Sequence, residues 1–284
     1  MHKLFSRTFA ALALSLLATI AQTGAAKAPS APITFSQTRV VFNEGAKSAS
    51  IDVTNKSETP YMLATSVRLV SVDRQTTRND RAFSAVPPVR LLMPGETLTV
   101  RIVKMGLASR EGAGDDVSRA EDGNAVVESA RLIRFKMVPA QEKNAHQKPV
   151  VRAVITTTLK LFYRPTMLVN DTGVREAAEA LDAYCIVDGD GLAHLLVANP
   201  SGYWLTFGRF EWDGVAVPND VRRQMVSPHE GRLYEASEGC PKRVSFSLID
   251  EYGFATETRT LNIARRADAV HTRRKDALGR GRKD

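Results

Sequence analysis

The sequence predicts an all-β fold, and three observations carry that prediction. Short runs of β-branched and aromatic residues recur along the chain, the composition that suits a pleated, half-buried surface. Clusters of Gly, Pro, Asn and Ser separate the runs, as turns require. No long segment repeats its apolar residues at the 3.6-residue period of an amphipathic helix, so helix content should be low.

In the first half the runs are Val40-Val41-Phe42, Ser50-Ile51-Asp52-Val53-Thr54, Tyr61-Met62-Leu63, Leu98-Thr99-Val100-Arg101-Ile102-Val103 and Leu132-Ile133-Arg134-Phe135-Lys136-Met137. Asn43-Glu44-Gly45, Asn55-Lys56-Ser57, Pro87-Pro88 and Pro94-Gly95 punctuate them. The second half gives Ala193-His194-Leu195-Leu196-Val197, Tyr203-Trp204-Leu205-Thr206-Phe207 and Val244-Ser245-Phe246-Ser247-Leu248-Ile249. Asp-Gly pairs at 188–189, 190–191 and 213–214 favour the positive φ of tight hairpins. Asp188 and Asp190 could open a calcium loop, but the further ligands and the closing glutamate of an EF-hand are absent, so the pairs read as hairpins. Residues 109–128, polar and glycine-containing, read as a mobile loop.

The ends of the chain bound the function classes. Lys3 and Arg7, an apolar run over residues 9–20 and a close in Gly24-Ala25-Ala26 have the layout of a secretory signal peptide, with cleavage expected after Ala26. That run is too short for a bilayer span, and no later one is long and apolar enough to cross. The formal charge of +8 is concentrated at the ends: the signal carries +2 and residues 265–284 carry +5, which leaves +1 for residues 27–264. A body so nearly neutral lacks the footprint of a phosphate-binding surface, which argues against nucleic acid. The basic tail, 265–284, has no apolar periodicity and is expected to be disordered. The two cysteines, Cys185 and Cys240, read as a disulfide or as two buried thiols. Export to an oxidising compartment favours the bridge. Neither has a histidine at metal-ligand spacing, so no metal is expected. His146, His194, His229 and His271 are scattered, and no GxSxG, HExxH or phosphate-cradling motif occurs, so neither an enzyme nor ATP chemistry is expected.

The strongest strand signal is residues 150–163, VVRAVITTTLKLFY, with no Gly or Pro. One face presents Val151, Ala153, Ile155, Thr157 and Leu159, and the other Arg152, Val154, Thr156, Thr158 and Lys160. Periodicity alone fits a central strand with one row in the core. A second reading, which periodicity favours less, is an edge strand that offers its apolar row and main-chain groups to a partner.

The run Leu159-Lys160-Leu161-Phe162-Tyr163-Arg164-Pro165 resembles the end of the last strand of the first domain in the periplasmic pilus chaperones of the PapD type. Thr38-Arg39-Val40, Ile51-Asp52-Val53-Thr54-Asn55, Pro87-Pro88-Val89-Arg90-Leu91-Leu92-Met93-Pro94-Gly95, Asn199-Pro200-Ser201-Gly202-Tyr203 and Asp250-Glu251-Tyr252-Gly253 follow in the family's order, so the resemblance runs from about Phe35 to Leu261. It implies two immunoglobulin-like β-sandwich domains arranged as an L with an inter-domain cleft. The domains expected are 27–165 and 166–264, flanked by the signal, 1–26, and the tail.

The resemblance also implies a function, holding pilus subunits in the periplasm by lending them a strand and delivering them to an outer-membrane usher, without cofactor or ATP. Arg39 and Lys160 match the family's anchors for the subunit's terminal carboxylate, and a guanidinium beside an ammonium suits such a group. Val151, Ala153, Ile155 and Thr157 match the row lent to the subunit groove. Lys160 lies off that row, so a twist or bend is expected to re-aim it. Glu128, Arg164 and Glu251 match the charges linking the domains, with glutamate where the family has aspartate in the second domain. The segment 104–127 is longer than in the typical member, whereas only 141–149 joins the last two strands of the first domain. A pilin-like or adhesin sandwich is the competing expectation. Such a protein should begin with a long alternating arm, and residues 27–33 are short and hold two prolines.

Overall fold

The computed structural model describes residues 31–70, 79–105, 126–140 and 153–266. The expected signal, the 106–125 part of the long segment, the 141–149 connection, Val151 and the tail beyond Arg266 lie outside them. The first half of the chain forms β1 (Ile33–Phe35), β2 (Arg39–Asn43), β3 (Ser48–Asn55), β4 (Tyr61–Leu69), β5 (Phe83–Val86), β6 (Val89–Leu92), β7 (Thr97–Lys104), β8 (Ser129–Pro139) and β9 (Ile155–Arg164). The predicted runs fall inside β2, β3, β4, β7 and β8, whereas β9 begins only at Ile155, so the strand expected over 150–163 starts later among the described residues, with Ala153 and Val154 outside it.

Two sheets face each other across one apolar core. One has strand order β1-β3-β7-β5 and the other β2-β9-β8-β4-β6. Their inner residues alternate along each strand with outer ones: Ile51 and Val53 of β3, Val100 and Ile102 of β7, Leu63 and Val67 of β4, and Ile133, Phe135 and Met137 of β8 are all buried together. Phe42, Phe83 and Tyr163 fill one end, with ring centroids 5.5–6.1 Å apart.

The second half gives a short helix, α1 (Gly173–Ala180), then β10 (Asp182–Val187), β11 (Ala193–Ala198), β12 (Phe207–Trp212), β13 (Val215–Ala216), α2 (Asn219–Arg222), β14 (Gly231–Glu235), β15 (Arg243–Leu248), β16 (Arg259–Asn262) and β17 (Ala264–Arg266). Sheets of order β14-β11-β10-β17 and β13-β12-β15-β16 enclose a second core of Leu195, Val197, Phe207, Phe210, Tyr234, Val244 and Phe246. Helix α1 was not expected. It is amphipathic and buries Val174, Ala177 and Ala178 against this core, a stripe too brief to stand out in sequence. Strand β17 pairs in parallel with the edge of β10, so the sheet continues two residues past the boundary expected for the tail.

Both sandwiches fasten a strand end in the same way. Asn55 and Asn199 are each fully buried, and each accepts at Oδ1 from the backbone N–H and hydroxyl of the serine two residues on, Ser57 and Ser201. Their Nδ2 groups donate to Thr59 and Leu92 carbonyls in one case and to Tyr203 and Ser227 carbonyls in the other. Every donor and acceptor of a buried amide is thereby met.

One turn expectation and one strand expectation need correction. Asp213 and Gly214 adopt positive φ, and so does Gly191, but Gly189 does not. A single turn spans 188–191 and needs only its last residue there, with Asp188 Oδ1 accepting from the N–H groups of Asp190 and Leu192. The run 203–206 is not a strand. Leu205 makes one isolated bridge with Val226, and Trp204 spends its donors elsewhere, as described below.

Cys185 and Cys240 form a disulfide with Cα atoms 5.7 Å apart across a separation of 55 residues. Closing a loop of that length restricts the unfolded chain more than the folded one. Reduction by dithiothreitol, or the Cys185→Ala/Cys240→Ala variant, is expected to lower the urea midpoint, corresponding to about 2–4 kcal/mol. A midpoint unchanged by reduction would show that the bridge contributes nothing to stability.

Candidate functional site at the junction of the two sandwiches

The site is built on β9. Its odd-numbered residues Ile155, Leu159, Leu161 and Tyr163 face the first core. Its even-numbered residues face away, and Phe162 packs with Ala130, Val41, Trp204 and Met225 in a separate apolar cluster between the two sandwiches. The β8–β9 register runs without a break from Ser129↔Tyr163 to Met137↔Ile155, so no twist or bulge re-aims Lys160. The lysine belongs to the row that already points at the second sandwich, and the expected kink is unnecessary.

Strand β2 lies parallel to β9 and sets Arg39 directly beside Lys160. Lys160 Nζ donates to Thr206 Oγ1 at 3.1 Å, and Arg39 Nη1 donates to the Ile249 carbonyl at 2.8 Å. Both partners come from the second sandwich and neither is a carboxylate. Among the described residues neither cation makes a salt bridge, and buried Arg39 Nε has no acceptor. Burial pushes the Lys160 ammonium down from 10.5 to about 7, with Arg39, Arg222 and Arg223 adding repulsion. Burial likewise lowers the Arg39 guanidinium to about 10, although Glu128, Asp250 and Glu251 pull the other way. Two desolvated cations side by side, one with an unused N–H, are arranged to take an anion.

The three linking charges come together one turn of pleat further on. Arg164 Nε donates to Glu128 Oε1 at 3.0 Å and Arg164 Nη1 to Glu251 Oε1 at 3.4 Å, with Arg164 and Glu128 buried and Glu251 partly buried. Glu128 Oε2 accepts from the Trp204 backbone N–H, and the Trp204 indole donates to the Glu128 carbonyl. These bonds occupy Trp204 at the junction, which is why the run around it is not a strand. The guanidinium of Arg164 also stacks 5.0 Å from the Tyr203 ring. Burial raises the Glu128 carboxyl, opposed by Arg164 and the Trp204 N–H. Glu251 reaches Arg164 from a turn in which Asp250 Oδ1 accepts from the Tyr252 and Phe254 N–H groups. Gly253, at φ 90°, passes so close to Thr38 that a Cβ would meet its hydroxyl at 2.7 Å, so the turn needs glycine.

The proposed donor row is only partly at the site. Ile155 is half-buried against the first core and Thr157 is half-buried beside it. Ala153 is exposed just before the strand. Strand β2 pairs only with residues 160–164 of β9. Among the described residues nothing pairs with residues 155–159 on that side, while β8 covers the other. The C-terminal half of β9 is therefore central, and its N-terminal half is an open edge roughly 17 Å long at the usual strand rise. Thr206, which holds Lys160, and Ile249, whose carbonyl holds Arg39, were not singled out from sequence. Nothing in their local pattern marks them, since they matter only through contacts across 46 and 210 residues. Among the described residues no three His, Cys, Asp or Glu side chains cluster as metal ligands.

Family models match two consecutive stretches of the chain. Residues 32–169 match the pili and flagellar-assembly chaperone PapD N-terminal domain, and residues 176–260 the pili assembly chaperone PapD C-terminal domain. The chaperone protein LpfB of Salmonella typhimurium is 28% identical over 236 residues, covering 81% of this chain and 89% of that protein. The probable fimbrial chaperone LpfB of Escherichia coli O157:H7 is 27% identical over 93% of this chain and all of its own length. Among solved structures, the Salmonella enterica SafA pilin in complex with the SafB chaperone matches with a TM-score of 0.62 at 18% identity, over 81% of this chain and 96% of the matched one. It supports the two-sandwich fold. With the two domain models spanning more than three quarters of its residues, in the order that the β2–β9 pairing and the junction require, the chain belongs to the PapD family of pili assembly chaperones.

Proposed function

We propose that this chaperone holds pilus subunits in the periplasm by anchoring their terminal carboxylate on Arg39 and Lys160 and pairing their exposed groove with the open edge of β9, before passing them to an outer-membrane usher. The observation that carries the reading is the side-by-side placement of two cations, Arg39 buried and Lys160 partly buried, that face no carboxylate among the described residues, at the inner end of a strand edge that no described residue pairs with. A carboxylate there gains charge-assisted donors that water has vacated. An extended segment leading away from it gains main-chain bonds along residues 155–159. Ile155 and Thr157, continuous with the first core, and Ala153 and Val151 before them, supply the row that enters the subunit. Main-chain pairing and apolar burial need no nucleotide, cofactor or catalytic group. The chaperone–pilin complex among the fold matches is consistent with subunits as the partner class.

Co-expression with the cognate subunit is expected to give a one-to-one periplasmic complex, and Arg39→Ala or Lys160→Ala to reduce its recovery at least about tenfold, since each removes a bond to a charged group of roughly 1.5–3 kcal/mol. Undiminished recovery with both variants folded would defeat the anchoring role.

The Lys160 shift makes a second expectation, with two slopes of opposite sign. Between about 7 and 10.5 the free folded chain binds fewer protons at Lys160 than the unfolded chain does, so stability of the free protein rises with pH in that window. A bound carboxylate favours the charged ammonium, so capture takes up a proton there and affinity falls as pH rises above about 7. Titration of a peptide with a free terminal carboxylate from pH 6 to 9 should show that fall in wild type and a flattened profile in Lys160→Met. Equal slopes in the two proteins would exclude Lys160 as the titrating anchor.

A further inference from the structure

The larger sheet of the first sandwich has a charge pattern that the anchor alone does not use. None of its five strands contains an aspartate or glutamate. Its core-side Arg131 is neutralised by Asp80 at 2.6 Å, and Arg164 by the two glutamates of the junction. The outward row is different. Going away from Lys160 across β8 and β9, register places Arg134 opposite Thr158 and Lys136 opposite Thr156, with both threonines and Lys136 exposed. Neither Arg134 nor Lys136 has an anionic partner among the described residues.

A groove of about 260 Å³ lies on this face, lined by Arg68, Leu132, Arg134, Thr156 and Thr158. Leu132 is the register partner of Lys160 and Thr158 is two residues before it on the same row, so groove and anchor form one continuous surface. Arg68 already donates to the Asn79 side chain, whereas the two threonine hydroxyls and the Arg134 guanidinium are groups that suit an oxygen acceptor. Cations of one sign on a half-exposed sheet repel one another until an anion intervenes.

We infer that this outer face receives an acidic segment of the subunit, lying next to the terminal carboxylate that Arg39 and Lys160 hold. The inference rests on the subunit-holding reading and adds the chemistry that selects among subunits: carboxylate side chains close to the carboxyl end are favoured, and basic ones there are rejected.

Two synthetic peptides test it against the full mature chain by fluorescence anisotropy. Both carry alternating apolar residues and a free terminal carboxylate, one with glutamates at the intervening positions and the other with glutamines. Wild type is expected to bind the glutamate peptide about fivefold more tightly at low ionic strength, with the preference shrinking in high salt. In Arg134→Gln/Lys136→Gln the preference should disappear while affinity for the glutamine peptide stays as in wild type. Arg134→Lys should retain most of it, which separates loss of charge from loss of folding. Equal affinity of wild type for the two peptides, or a preference that survives the double substitution, would overturn the acidic-segment inference while leaving the anchor intact. Arg39→Ala should weaken both peptides alike. If it weakens neither, or if wild type binds neither, the subunit-holding reading fails and this inference fails with it.

Discussion

The strict alternation of side chains along β9 is the constraint on which the rest of this molecule depends. Ten consecutive residues must serve a core on one side and a junction on the other, and the period of two allows both without a bend. Odd positions complete the first sandwich. Even positions supply Phe162 to the inter-sandwich cluster, Arg164 to the two glutamates and Lys160 to the Thr206 hydroxyl of the second sandwich. A slip of one residue in the β8–β9 register would put Lys160 and Arg164 into the core and Leu161 and Tyr163 into the junction. The unbroken ladder with β8 and the parallel ladder with β2 forbid it.

The junction shows how the cost of burying charge is distributed. Arg164 is offset by two carboxylates and an aromatic face, and Glu128 by the Trp204 N–H as well as by Arg164. That is a satisfied network whose members hold one another in place. Arg39 and Lys160, adjacent to it, have only neutral partners among the described residues, and Arg39 Nε is left without an acceptor there. The same elements therefore present a closed electrostatic circuit beside an open one. The closed one fixes the geometry of the open one, because Glu251 and the Ile249 carbonyl come from one short stretch of the second sandwich.

Much of this was legible in the sequence, for reasons that can be named. Strands β2, β3, β7, β8 and β9 announce themselves because β-branched residues and turn residues alternate cleanly around them. Arg39, Lys160, Glu128, Arg164 and Glu251 were reachable only through resemblance, since each looks like an ordinary solvated charge in its local pattern. Strand β10 went unmarked because Asp182-Ala183-Tyr184-Cys185-Ile186-Val187 lacks a bounding turn on its N-terminal side, where α1 runs straight into it. The run 203–206 misled for the opposite reason. Its residues have strand chemistry, but their donors are claimed by the Leu168 carbonyl, Glu128 and the Val226 carbonyl. The placement of Lys160 was misjudged because sequence numbering shows two rows without showing that they end on different bodies.

The open half of β9 and the carboxylate-free sheet beside it bear together on how the protein treats its own kind. An unpaired edge is a template for any extended chain, a second copy included. Two copies aligned in parallel along residues 155–159 would bring Arg39 and Lys160 of each toward the like charges of the other. Self-recognition in that alignment would carry an electrostatic penalty, and ionic strength would tune it.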